Sequence, residues 1–194
     1  MTRPVLSRRD MLLLLGAAGT LASAQPADAP AALPGDSIYQ FRPQLVDQDG
    51  RTFDLASMRG RPVLASMFYS ACDMVCPLIF ETIAHTLKSL KPPARDRIHV
   101  AMVTFDPAHD TVPVLKDTAL RHGCDAHWSL LRGSDADVRR FAALLGAQYR
   151  RLPSGAYNHS AAIGLLDAQG RIVRRTGTLG EDDPAFVAAV QAVS

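Results

Sequence analysis

Residues 62–69 read Pro-Val-Leu-Ala-Ser-Met-Phe-Tyr, a nearly unbroken apolar run of strand length between Gly60 and Ser70-Ala71-Cys72. A strand that shows water neither face must be covered on both sides, and this calls for helices above and below a sheet. The chain supplies them in alternation. Ile79, Ile83, Leu87 and Leu90 recur at helical spacing over residues 77–90, Pro77 suits a first helical position, and Pro92-Pro93 stop the helix. A second strand over 98–105 leads through Asp106-Pro107 to a helix over 111–122 that Gly123 ends. A short strand over 128–131 precedes Ser134, the N-cap of a helix that runs through Leu145 and closes at Gly146. Hairpins frame the series. One pairs 41–46 with 51–55 around Asp47-Gln48-Asp49-Gly50, the other pairs 161–166 with 171–175 around Asp167-Ala168-Gln169-Gly170, and a last helix covers 183–193. The expectation is one α/β domain, a central sheet with helices on both faces and an N-terminal β-hairpin.

The first 24 residues have the layout of an export signal. Residues 1–10 carry Arg3, Arg8 and Arg9, residues 11–22 are almost wholly apolar, and Ala22-Ser23-Ala24 offers small residues for cleavage. Ser7-Arg8-Arg9-Asp10-Met11-Leu12 is twin-arginine-like. The apolar run is about a dozen residues, short of the roughly 20 that span a bilayer, so membrane contact is expected only through this segment if it stays uncleaved. Residues 25–36, rich in Ala and Pro, read as a flexible lead-in, and residues 37–194 as the domain. Such a domain works in the periplasm. The chain has 21 basic and 19 acidic residues, and without the first 24 the balance is 18 against 18. A neutral domain with no clustered Lys or Arg excludes phosphate-backbone binding, and nucleic acid is not an expected partner.

The chemistry is concentrated at Cys72-Asp73-Met74-Val75-Cys76-Pro77, where the apolar strand hands over to a helix. Cys76 falls at the helix start, where free amides stabilise negative charge, so its thiolate is expected to be favoured over that of an unperturbed cysteine. Two thiols four residues apart can form a disulfide or share a metal. Two thiolates do not complete a structural zinc shell, whereas soft Cu(I) is well served by two thiolates and one imidazole. Among the six histidines, His85, His99, His109, His122 and His127 read as surface or partly buried polar residues. His159 stands apart, between the polar turn 154–158 and the apolar strand 161–166. At this point the pair is either a redox dithiol or two-thirds of a metal site.

The order of strand, Cys-x-x-x-Cys-Pro, helix, strand ending in Asp106-Pro107-x-x-Asp110-Thr111, then His159-Ser160-Ala161-Ala162 opening a hairpin that reads LLDAQGRIV, resembles the SCO/SenC family. The resemblance covers about residue 41 to the C-terminus. It implies a thioredoxin-like fold, copper held as Cu(I), with Cu(II) as a second state, by Cys72, Cys76 and His159, and a metallochaperone role in assembling the binuclear copper centre of cytochrome c oxidase. The implied partners are the copper-bearing subunit of that oxidase or another copper chaperone. Asp73 and Asn158 stand where this family often has Pro and Asp.

Two other classes compete with that reading. A thiol-disulfide reductase that keeps a partner's cysteines reduced would use Cys72 and Cys76 as the catalytic pair and dispense with His159. A thiol peroxidase fits least, because Tyr69 occupies the position three residues before the cysteine where those enzymes place Thr or Ser. Met74 is expected to fill an apolar contact in the loop, and Cys124 to be a small packed residue. Asp106 and Asp110 read either as residues that position the site through hydrogen bonds or as caps of the helix that follows, and the sequence favours the caps.

Overall fold

The computed structural model describes residues 32–181 and 183–194. The export-signal segment and residues 25–31 of the lead-in lie outside the described residues. From Leu33 onward the chain is tied to the domain: the Ser37 amide donates to the Pro34 carbonyl (3.0 Å), and Asp36 pairs with Arg171 (3.1 Å).

Two short strands, β1 (Leu45–Val46) and β2 (Thr52–Phe53), form the N-terminal hairpin, shorter than the sequence pattern predicts. Its turn is built by Asp47, whose carboxylate accepts the amides of Asp49 and Arg51 (2.9 Å each), while Gly50 takes φ 77°. A 3-10 turn at Leu55–Met58 occupies the expected end of the second strand, capped by Asp54.

The central sheet contains β3 (Val63–Phe68), β4 (His99–Thr104), β5 (Trp128–Leu131), β8 (Ile163–Leu166) and β9 (Ile172–Thr176), in the order β5-β4-β3-β8-β9. The pairs β3–β4 and β4–β5 are parallel, and β3–β8 and β8–β9 antiparallel. All six residues of β3 are buried, as its apolar run requires of the central strand. The covering helices are α1 (Val75–Ser89), α3 (Val112–Arg121), α4 (Asp135–Leu145) and α5 (Pro184–Val193), with a single turn, α2 (Ala94–Arg97), after α1. Ser134 caps α4 through the Asp137 amide, and Gly146 closes it at φ 76°. Gly164 in β8 has a packing reason: a Cβ there would lie 2.7 Å from Leu145 of α4.

The sequence pattern does not reveal a further two-stranded ribbon, β6 (Tyr149–Arg151) with β7 (Tyr157–His159). His159 therefore ends a strand instead of following a polar turn. The register of the main sheet decides where that ribbon goes. Ala65 of β3 pairs with Gly164 of antiparallel β8, and the Ser66 hydroxyl donates to the Ala162 carbonyl (2.8 Å). The residues just before β8 are thus brought to the end of β3 from which the cysteine loop leaves.

A candidate metal centre of two thiols and an imidazole

The cysteine loop is held from below. Asp110 is 1% exposed, and its carboxylate accepts the Ser70 amide (3.2 Å) and the hydroxyls of Ser70 and Thr104. It joins the loop to the end of β4 and does not cap α3, whose N-cap residue, Thr111, makes no side-chain cap either. Asp106 likewise turns away from capping and accepts His109 Nδ1 at 2.9 Å. The reason is geometric. Both residues follow the end of β4: Asp110 is turned to the donors of the cysteine loop and of β4, and Asp106 to the His109 ring within its own turn.

Helix α1 starts at Val75, two residues before Pro77, and this sets the electrostatics of the pair. The Cys76 amide in its first turn donates to Cys72 Sγ (3.3 Å). Cys72 is therefore the thiol that benefits from the helix start. Burial opposes its ionisation, but hydrogen bonds from the Cys76 amide, the His159 ring and the Met74 amide outweigh burial and bring its pKa down to about 7. Cys76 is buried, and desolvation, reinforced by the charges of Cys72 and Asp110, pushes its pKa up. The expectation that Cys76 carries a favoured thiolate is thus reversed. Proximity to the helix N-terminus is not enough; the sulfur must receive an amide, and Cys72 is the one that does.

His159 Nε2 lies 3.7 Å from Cys76 Sγ, and its Nδ1 faces the Ser160 carbonyl (3.3 Å). The Nε2 edge thus faces the sulfurs, where it donates to the Cys72 thiolate in the metal-free site and, in the other tautomer, offers the lone pair that a metal-bound imidazole uses. The ring is packed among aromatics from three other segments. Phe105 lies 4.9 Å away between centroids, Tyr69 meets it edge-on at 6.1 Å, and Tyr157 and Tyr149 pack on Phe105 at 5.0 and 5.1 Å. Nothing in the sequence, where these four rings are scattered over residues 69–157, groups them around His159; Tyr69 draws notice there only as the residue three before Cys72. The Sγ atoms of Cys72 and Cys76 and a ring nitrogen of His159 all lie within 4.8 Å of one another, a group able to hold a metal ion. It is the one such group of three among the described residues.

The other expected candidates stay apart from it. His99 is half-buried at the start of β4, bonded to the Ser129 hydroxyl (2.9 Å), and desolvation lowers its pKa to about 4. His122 stacks on Phe80 (4.0 Å between centroids), and His85 is exposed on α1. Met74 makes no apolar contact of the kind expected; it is 74% exposed. Cys124 is half-buried against the core, as a packed residue should be, and burial pushes its pKa up to about 12. A cleft of about 370 Å³ opens beside the pair, with Asp73, Arg121 and His122 on its walls.

The SCO1/SenC family model matches residues 34–193. The chain belongs to the SCO1/SenC family. Similar proteins include the SCO1 homologue of Bacillus subtilis, 25% identical over 143 residues that cover 70% of this chain and 72% of that one. Across the curated relatives the matched span covers 64% to 72% of their own lengths. Among solved structures, copper-bound ScoI of Bradyrhizobium japonicum superposes with a TM-score of 0.68 at 24% identity, covering 79% of this chain and 98% of the other. BsSco, a member of the Sco family of cytochrome c oxidase assembly proteins described with a disulfide switch, gives 0.62 at 22%, covering 77% and 91%. These likenesses establish the thioredoxin-like fold.

Proposed function

We propose that this protein is a periplasmic copper-handling assembly factor that binds one Cu(I) through Cys72, Cys76 and His159 and passes it to the binuclear copper site of cytochrome c oxidase. The observation that carries the reading is the convergence of two thiols and an imidazole nitrogen within 4.8 Å, drawn from two separate parts of the fold. Two soft donors and one borderline donor suit Cu(I), and the set lacks the fourth ligand of a closed zinc site. Copper-bound relatives and the oxidase-assembly role attached to the family support the choice of metal and of recipient. The basic, apolar and small-residue zones of the first 24 residues support export. Oxidising the pair to a disulfide would remove both thiolates at once and release the metal. The test is a Cu(I) titration of the reduced and oxidised protein. One copper per chain in the reduced form and none in the oxidised form is expected; equal binding by both would overturn the reading.

One observation favours a second activity, thiol-disulfide exchange with a partner's cysteines. An attacking thiol works best with a pKa near ambient pH, and Cys72 is brought to about 7 next to a buried second thiol. In that role His159 would serve through its hydrogen bond to Cys72, which lowers the thiol's pKa, and not as a metal ligand.

A further inference from the structure

The ribbon that carries His159 also carries charge. Arg150 and Arg151 lie exposed on β6, and Arg139 is exposed on α4. The three line one hollow of about 380 Å³ whose wall includes the stacked rings of Phe105 and Tyr149. Arg150 and Tyr149 line a second hollow as well, of about 410 Å³, and that one is bounded by His159. Three exposed arginines of α4 and the ribbon thus share one hollow, and Arg150 also lines the neighbouring hollow that reaches the imidazole.

We propose that this basic hollow docks a carboxylate-bearing segment of the protein that exchanges copper with the site. The proposal rests on the copper reading above and adds the chemistry of the partner. None of the three arginines is in an ion pair among the described residues, although Asp135 stands one helical turn before Arg139, a spacing at which such pairs readily form. The carboxylates that share the hollow are otherwise engaged. Asp106 is buried and bonded to His109, and Asp135 lies in the first turn of α4, where the helix's free amides answer its charge. Guanidinium groups recognise carboxylates through paired, charge-assisted hydrogen bonds, and an aromatic wall that excludes water strengthens them. The charges are spread along a ribbon instead of converging on a point, and this shape fits several carboxylates in sequence better than a single oxyanion. A segment seated there would bring its own metal ligands to the side of the site where His159 lies.

The experiment uses the full chain, a fluorescently labelled hexaglutamate peptide as the probe, and anisotropy at low salt. Arg139→Glu/Arg150→Glu/Arg151→Glu should weaken peptide binding at least about tenfold, with a steep salt dependence in the parent that the variant loses. Arg95→Glu/Arg97→Glu, on exposed positions of α2 at the other end of β4, should change it less than about twofold. Equal losses in the two variants, or no loss in the first, would overturn the proposal. So would displacement of the peptide by inorganic phosphate beyond what chloride achieves at equal ionic strength, which would mark a small-anion site. Cu(I) affinity is read in parallel and should be unchanged in both variants. A wild-type chain that binds the peptide but no copper would strike down the metal reading, while peptide binding indifferent to the arginines with copper intact would strike down the docking site alone.

Discussion

The two halves of the proposed copper site are held by opposite means. Cys72 and Cys76 sit between a strand buried along its whole length and a fifteen-residue helix, with the buried Asp110 carboxylate bonded beneath them. His159 ends a three-residue strand in a ribbon on which Arg150, Arg151 and Asn158 are exposed and no residue is fully buried, and it is steadied by ring packing. Hydrogen bonds in a buried network tolerate little displacement, whereas single ring contacts contribute only about 0.5–1.5 kcal/mol each. The thiols are the fixed half and the imidazole the adjustable half. That division suits the proposed role, in which a metal must be held and also given up.

The largest effect should come from the fixed half. Cys72→Ala or Cys76→Ala leaves a single thiolate, and Cu(I) affinity, measured by competition with a chelator, should fall by more than the roughly 100-fold that follows loss of an outer-sphere partner. Near-wild-type affinity in either variant would break the comparison at its root. Next comes the support. Asp110→Ala strands the Ser70 amide and two hydroxyls, and should cost about 2–4 kcal/mol in denaturant unfolding, with Asp110→Asn milder because it keeps an acceptor. Asn158→Ala, exposed on the ribbon, should stay within about 0.5 kcal/mol. A ribbon variant as damaging as the Asp110 one would erase the distinction.

The sequence makes the fixed half readable, and the reason is locality. The buried strand, the Cys-x-x-x-Cys-Pro junction and the α4 caps at Ser134 and Gly146 each follow from neighbours within a few residues. The adjustable half is assembled from afar. Tyr149-Arg150-Arg151 and Tyr157-Asn158-His159 are too short and too polar for an alternation signal, and their packing depends on Tyr69 and Phe105 from other elements. Asp110 is ambiguous for the same reason, since a carboxylate two residues before a helix looks like a cap until the loop that it supports is folded over it, and only the fold decides for the supporting role. Which thiol is activated could not be read either, because it depends on which sulfur the Cys76 amide reaches. His159 was found through its family resemblance, not its spacing.

Phe105→Leu sharpens the comparison from the adjustable side. Loss of the ring beside His159 should lower copper affinity about tenfold, within the range of outer-sphere changes, while Cys72 alkylation proceeds as in wild type. The smallest effect is a shift along the pH axis. Iodoacetamide needs the thiolate, so Cys72 alkylation should rise with pH, be half-maximal near 7 and level off above it, whereas Cys76, pushed up by burial, stays unmodified over the same range. His159→Ala removes a donor to the Cys72 thiolate and should move that midpoint to higher pH. A downward move would contradict the assigned hydrogen bond. Peptide mapping after mild oxidation should find Cys72 joined to Cys76, with Cys124 left as a free thiol.

X-ray absorption of the Cu(I)-loaded protein and of its His159→Ala variant tests the central claim most directly. The wild-type copper should show two sulfur scatterers and one nitrogen scatterer, and the variant should keep both sulfurs, lose the nitrogen and bind more weakly while its thiols still oxidise. Identical spectra and affinities for the two proteins, or a wild-type copper surrounded by sulfur alone, would contradict a site built from a fixed thiol pair and an imidazole on the ribbon.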